Sequence, residues 1–178
     1  MFILASASPR RKELLSTLIK DFEIVVSDVD ENIEVDDVYL LPLELSKLKA
    51  YSVFKNHQDA IVLASDTIVL LDNEVLGKPK DKEDAKKMLR KLSSRKHQVI
   101  TGYTIISKEK EINRYVITDV YFKELSDELI DAYVATLSPL DKAGAYGIQD
   151  KDFDLVDRID GSYSNVMGLP LEDLANYL

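Results

Sequence analysis

Ile3-Leu4-Ala5-Ser6-Ala7-Ser8-Pro9-Arg10-Arg11-Lys12-Glu13-Leu14-Leu15, residues 3–15, carries the chain from a strand into a helix within one turn. Phe2 to Ala5 is a short apolar run of the kind that fills a buried strand. Ser8 reads as the N-cap of the helix that follows, with Pro9 as its first residue, where a missing N–H does no harm. Leu14, Leu15 and Leu18 supply its apolar stripe. Arg10, Arg11 and Lys12 break the local rule, because three cations crowd the positive end of the helix dipole, where carboxylates are favoured. Such a conflict is expected where a site, rather than the fold, selects the residues. Free N–H groups, hydroxyls and two guanidinium forks together suit an anion, above all a polyphosphate; solvated arginines are the plainer alternative.

The rest of the chain bounds the answer. Its 178 residues suit one domain, residues 1–178, with room for two lobes. A hydrophobic content of 46% and a charged content of 31% describe an ordinary globular protein. No apolar run approaches a membrane span, and no basic-then-apolar leader opens the sequence, so the expected location is cytoplasmic. With no cysteine there is neither a disulfide nor thiol chemistry, and the two histidines, His57 and His97, stand too far apart to suggest a zinc site. A net charge of −9 argues against binding nucleic-acid polymers or anionic membranes, while leaving room for a small anion at a local basic cluster.

A second stretch, Ala60 to Leu71, is apolar and rich in β-branched residues, as in one or two central strands buried on both faces. Ser65, Asp66 and Thr67 interrupt it. An ionised aspartate there is costly unless it is paired or binds a metal, and strand breaks are where α/β sheets place their chemistry. Asp66 is therefore the leading catalytic carboxylate; a satisfied structural Asp, or a turn between two strands, is the alternative. Other elements follow from pattern. Phe22 to Val26 reads as a strand leading into an acidic loop in which Asp30 and Glu31 are candidate metal groups. A helix opens at Pro42 with Leu41, Leu45 and Leu48 on one face, and Lys49 is not singled out by its local sequence. Asp72-Asn73 is a hairpin turn. Gly77-Lys78-Pro79 holds a constrained lysine, and Asp81 caps a helix through Leu92 with Asp84 at the capping-box position. Val99 to Ile106 and Tyr115 to Phe122 form a ribbon turned at Lys108 to Asn113, with His97 and Gln98 ahead of it. Ser126 starts a helix burying Leu129, Ile130, Tyr133, Val134 and Leu137. Tyr146 and Gln149 lie among small residues that suit a flat ligand, and Pro170 opens a last helix that uses Leu171, Leu174, Ala175 and Leu178.

A basic helix N-terminus, an aspartate interrupting a central strand, a constrained lysine and further carboxylates after a strand fit metal-assisted cleavage of a phosphoanhydride. No P-loop or dinucleotide fingerprint is present. Residues 4–15, Ser65-Asp66-Thr67-Ile68-Val69, Gly77-Lys78-Pro79, His97 to Gly102, Asp141 to Gln149, and Gly161 to Val166 with Gly168-Leu169-Pro170 occur in that order along the chain. Together they resemble the Maf-type nucleoside triphosphate pyrophosphatases. The resemblance implies an α/β fold like that of inosine triphosphate pyrophosphatases, a mixed twisted sheet in two lobes with a central cleft. It implies hydrolysis of dTTP and UTP to the monophosphate and pyrophosphate with a divalent metal cation, Mg2+ or Mn2+, and house-cleaning of modified nucleotides as a further activity.

By the same resemblance Asp66 accepts the proton and Ser8, Arg10, Arg11, Lys49 and Lys78 hold phosphates. Glu31 assists the metal with Asp66, and Arg10, Thr67 and Gln149 set specificity for the dTTP/UTP subgroup. A homodimer is an expectation by analogy. A nucleotide-binding regulator of cell division without turnover is the rival; intact Asp66, Glu31 and Lys78 favour the enzyme. One departure stands out: after Gln149, where many relatives have small glycine-rich residues, this chain has Asp150-Lys151-Asp152-Phe153-Asp154.

Overall fold

The computed structural model describes residues 1–178 and contains a mixed seven-stranded sheet. The strands are β1 (Phe2–Leu4), β2 (Glu23–Ile24), β3 (Ile61–Leu71), β4 (Glu74–Leu76), β5 (Lys96–Ile106), β6 (Glu111–Phe122) and β7 (Val156–Asp160). They are hydrogen-bonded in the order β2-β1-β3-β5-β6-β7, with β4 also paired to β3. β1 is parallel to both β2 and β3, whereas β3–β4 and β6–β7 are antiparallel. The helices are α1 (Pro9–Ser16), α2 (Leu41–Phe54), α3 (Lys82–Leu92), α4 (Asp127–Ala135), α5 (Tyr163–Met167) and α6 (Leu171–Leu174). No helix is long and apolar enough to cross a membrane.

The chain divides into two compact units, one of Met1–Thr67, Ile100–Val116 and Ser164–Leu178, the other of Ile68–Val99 and Ile117–Tyr163. In the first, alternation along β1 and β3 sends side chains to opposite faces of the sheet. Ile3, Ala5, Val62 and Ala64 pack with Ala50 and Val53 of α2, while Leu4 and Leu63 pack with Leu14 and Leu15 of α1 and with Leu169 and Leu174. Both faces are covered, which is why β3 reads as nearly continuous apolar sequence. In the second unit, α3 and α4 pack on each other. His97, Phe122 and Tyr146 meet there edge to face, with ring centroids 4.7–5.4 Å apart.

Several expectations need correction. Of the one or two strands expected over Ala60 to Leu71, the chain forms one, β3, without a turn at Asp66. The strand expected over Phe22 to Val26 shrinks to Glu23–Ile24, an exposed edge pair. α1 ends at Ser16, because the hydroxyls of Ser16 and Thr17 bond the carbonyls of Glu13 and Leu14; Leu18 falls outside the helix and is exposed. The buried stripe of α2 runs through Pro42, Leu45, Ser46, Lys49, Ala50 and Val53, so Leu48 faces solvent. Two polar residues take core positions there, which an apolar pattern does not reveal. His97 and Gln98 lie inside β5, and the ribbon turns at residues 107–110, where the Ser107 N–H donates to the Lys110 carbonyl. A connection this short joins only antiparallel neighbours. Asp81 caps α3 as expected, but the Asp84 carboxylate accepts from the Lys80 N–H instead of closing a capping box. Leu137 ends α4 at φ +66° and is exposed, as is Leu178 beyond the short α6. The Tyr146 ring is buried against His97 and Phe122, and the residue also borders a cavity together with Gly147 and Ile148.

Candidate active site

Ser8 caps α1 as expected: its hydroxyl accepts from the Arg11 N–H at 3.4 Å, and its own N–H donates to Ser6 Oγ at 3.2 Å. The capped turn fixes the direction in which Arg11 leaves the helix. Arg11 Nε donates to the Gly168 carbonyl at 2.9 Å, Nη1 to Ser6 Oγ at 3.4 Å and Nη2 to Thr67 Oγ1 at 3.1 Å. Gly168 takes φ +114°, and a Cβ there would sit 3.3 Å from Arg11 Nε, so glycine is what lets this carbonyl meet the guanidinium. The same carbonyl accepts from Ser65 Oγ at 2.9 Å.

Thr101 Oγ1 donates to the Asn165 carbonyl at 2.9 Å and lies 2.9 Å from Thr67 Oγ1. A hydroxyl has a single proton, so Thr67 is the donor to Thr101 and the acceptor from Arg11. Arg11 to Thr67 to Thr101 to Asn165 is thus one directed chain of donors. Burial lowers the Arg11 pKa from its ordinary value and the Arg10 charge lowers it further, while Asp66 and Glu31 oppose them.

Asp66 sits at the polar break in β3, next to Thr67. Lys49 Nζ lies 2.7 Å from Asp66 Oδ1 and 3.2 Å from Glu31 Oε1. Lys49 and Asp66 are nearly buried, with side-chain exposures of 11% and 13%, whereas Glu31 reaches in from the acidic loop at 57%. α2 delivers the lysine because the helix comes down onto Gly102 of β5, where a Cβ would lie 2.3 Å from the Leu43 nitrogen. A nearly buried ion pair is poor evidence of a stability device, since desolvation offsets much of the attraction. A carboxylate in a central strand needs such a partner, and here Lys49 supplies it at one oxygen.

Ser8, Arg11, Glu31, Lys49, Asp66 and Thr67 therefore come together in the first unit through this bonded network, with Arg10 close enough to shift Arg11. Lys78 and Gln149 belong to the second unit. Lys78 is exposed after β4, on a loop pinned by buried Pro79 and by the Gly77 carbonyl, which accepts from the Gly144 N–H at 3.1 Å. Gln149 is half-buried in a turn closed by the bond from the Asp150 N–H to the Gly147 carbonyl at 3.0 Å.

Sequence reasoning missed Ser6, Thr101, Asn165 and Gly168 as the holders of Arg11. Lys49 shares its helical spacing with Pro42, Leu45 and Val53, but a lysine in that position usually turns its amine to water, so the spacing alone does not mark it. Asp30 accepts from the Asn32 N–H within the acidic loop, an ordinary loop bond. No three His, Cys, Asp or Glu side chains group to hold an ion. Two carboxylates at one lysine fit instead a magnesium-like ion that completes its shell with water and ligand phosphates.

A family model described as Maf-like protein matches residues 1–178. The chain belongs to the Maf family. This Maf chain is 49% identical over 172 residues to the dTTP/UTP pyrophosphatase of Thermococcus onnurineus, covering 97% of this chain and 93% of that protein. It is 51% identical over 176 residues to the dTTP/UTP pyrophosphatase of Thermosipho africanus, covering 99% and 91%. The relative from Bacillus cytotoxicus with the same name is 50% identical over 182 residues. Among solved structures, the Ham1 protein of Staphylococcus aureus superposes with a TM-score of 0.52 over 68% of this chain and 71% of that one, at 17% identity. That likeness establishes a shared mixed α/β fold.

Proposed function

We propose that this Maf protein hydrolyses dTTP and UTP between the α- and β-phosphates, giving the nucleoside monophosphate and pyrophosphate. The observation that carries the reading is the Asp66–Lys49–Glu31 cluster one residue from the Arg11–Thr67 bond, beside the capped N-terminus of α1. The relatives' names supply the choice of bases. Arg11 arrives with its guanidinium already fixed, so little side-chain entropy is lost when its remaining N–H groups meet a phosphate. Ser8, Arg10 and Lys78 supply further phosphate contacts, and Arg10, Thr67 and Gln149 tune the choice of nucleotide.

Asp66 takes the proton of the attacking water. With Oδ1 held by Lys49, Oδ2 is the oxygen that accepts it. The water oxygen bonds to the α-phosphorus, the bond from that phosphorus to the bridging oxygen breaks, and pyrophosphate leaves with the bonding pair. Lys49, which keeps Asp66 Oδ1 occupied, adds a further positive charge for the phosphates beside the two carboxylates. A divalent cation, Mg2+ or Mn2+, held by Asp66 and Glu31 would neutralise charge on the phosphates.

Replacing Asp66 by Asn tests the assignment. The expected loss in kcat is about 100- to 10,000-fold, with the fold intact. Pyrophosphate release at the wild-type rate from that variant would remove Asp66 from the mechanism.

A further inference from the structure

Tyr133 is the centre of a polar knot in the second unit. Its ring is wholly buried, its hydroxyl donates to Asp150 Oδ2 at 2.6 Å, and it accepts from the Gly147 N–H at 2.9 Å. Asp150 Oδ2 also accepts from Ser138 Oγ at 2.8 Å. Lys142 Nζ backs the knot, donating to the Ser138 carbonyl, to Ser138 Oγ and to Asp141 Oδ1 at 2.6–2.9 Å. The Phe153 ring lies against Tyr133 with centroids 4.8 Å apart.

One phenol oxygen therefore grips both ends of the turn Gly147-Ile148-Gln149-Asp150. The amide of Gln149 folds against Gly147, where an added Cβ would meet Nε2 at 2.9 Å, Oε1 at 3.0 Å and Lys142 Cε at 2.8 Å. A cavity of about 180 Å³, lined in part by Gly147, Ile148, Lys151 and Phe153, adjoins this segment, so close packing alone does not hold it. Its side-chain bonds do: those of Tyr133 at both ends, that of Ser138 to Asp150 and that of the Tyr163 hydroxyl to the Ile148 carbonyl.

A glutamine amide presents a carbonyl on one side and an NH2 on the other, and rotation by half a turn exchanges them. Uracil and thymine offer a carbonyl at C4 where cytosine offers an amine. An amide reads that difference well only when the backbone that carries it is held at a fixed place against the base. We propose that Tyr133 and Asp150 are positioning residues that fix the turn carrying Gln149 and so set the preference for uracil and thymine over cytosine. This rests on the reading of Gln149 as a residue that contacts the base.

The test measures the affinities of the non-hydrolysable α,β-methylene analogues of UTP and CTP by calorimetry, alongside hydrolysis of UTP and CTP. Wild type is compared with Gln149→Ala, Tyr133→Phe, Asp150→Ala and Asp150→Asn, each checked by thermal melting. Tyr133→Phe keeps the ring on Phe153 while deleting both bonds. It and Asp150→Ala are expected to cut the UTP-over-CTP preference by about tenfold, as loss of a discriminating hydrogen bond does, towards the ratio of Gln149→Ala. Asp150→Asn, which keeps an acceptor for Tyr133, restores most of the preference, and kcat for UTP changes far less than the ratio. Wild-type ratios in Tyr133→Phe and Asp150→Ala overturn the proposal, as does an unchanged ratio in Gln149→Ala. A wild-type chain that prefers the UTP analogue but hydrolyses neither nucleotide refutes the hydrolase reading, and the binding ratios still decide this one. A wild type that binds neither analogue, or both equally, overturns the proposal.

Discussion

Thr67 is the residue through which the arginine of α1 reaches the strand that carries Asp66. Its hydroxyl accepts from Arg11 and donates to Thr101, so Thr67→Val would leave a guanidinium N–H and the Thr101 oxygen each short of a partner. Loss of such bonds costs about 1–3 kcal/mol. A lower urea midpoint and a raised KM for UTP are expected in Thr67→Val, and near wild-type values in Thr67→Ser; a wild-type midpoint in the valine variant would show that the chain of donors holds nothing. His97 makes a different prediction. It is buried, with Nε2 2.7 Å from the Tyr146 hydroxyl and no partner at Nδ1. Burial lowers its pKa from 6.5 to about 4, against a smaller opposing pull from Asp119. Between those values the unfolded chain holds the proton and the folded one does not. The contribution of neutral His97 is therefore complete above pH 6.5 and drains away as the pH falls towards 4, by about 3 kcal/mol in all. Denaturation midpoints followed from pH 7 to pH 4.5 are expected to fall more steeply for wild type than for His97→Gln. Parallel curves would mean that the ring is already charged in the folded protein.

The helix α2 is the element on which the site depends most. It descends onto Gly102, and its buried stripe includes the lysine that meets Asp66. Gly102→Ala would place a carbon 2.3 Å from the Leu43 nitrogen, which is backbone and has no rotamer through which to yield. The helix must move, at a cost of about 1–3 kcal/mol in overpacking. Both a lower melting temperature and a reduced rate of pyrophosphate release are expected, because Lys49 moves with the helix; full activity in a destabilised variant would separate α2 from the chemistry. The same helix shows where sequence reading stops. β1, the Ser8 cap, β3 and the Asp72-Asn73 turn are written in local chemistry, namely apolar runs, a hydroxyl before proline, and two residues at φ +50° and +65°. The face that α2 buries is not, because Ser46 and Lys49 occupy core positions whose partners, Thr104 and Asp66, come from other strands. α5 was invisible for a related reason: its buried residues are Ser164 and Asn165, so no apolar stripe marks it. Arg11 could be singled out as misplaced for a helix start, but its partner Gly168 lies 157 positions away, beyond the reach of any local pattern.

At the scale of the whole molecule, a net charge of −9 coexists with a basic cluster at the first helix. A surface of that sign repels polyanions, while a fixed guanidinium at a capped helix start attracts a compact one. The sheet supplies the frame: β1 and β3 run parallel, so the strand end that opens into α1 and the polar break at Asp66 are held in one unit. Membership of the Maf family and the mixed α/β fold are facts of the chain, and the reaction is the reading built on them. Its central claim is that water attacks the α-phosphorus beside Asp66. Hydrolysis of UTP with Mg2+ in water enriched in oxygen-18, followed by mass analysis of the products, tests this directly. The account predicts UMP carrying the heavy oxygen together with unlabelled pyrophosphate; UDP with labelled phosphate, or label in the pyrophosphate, would contradict it.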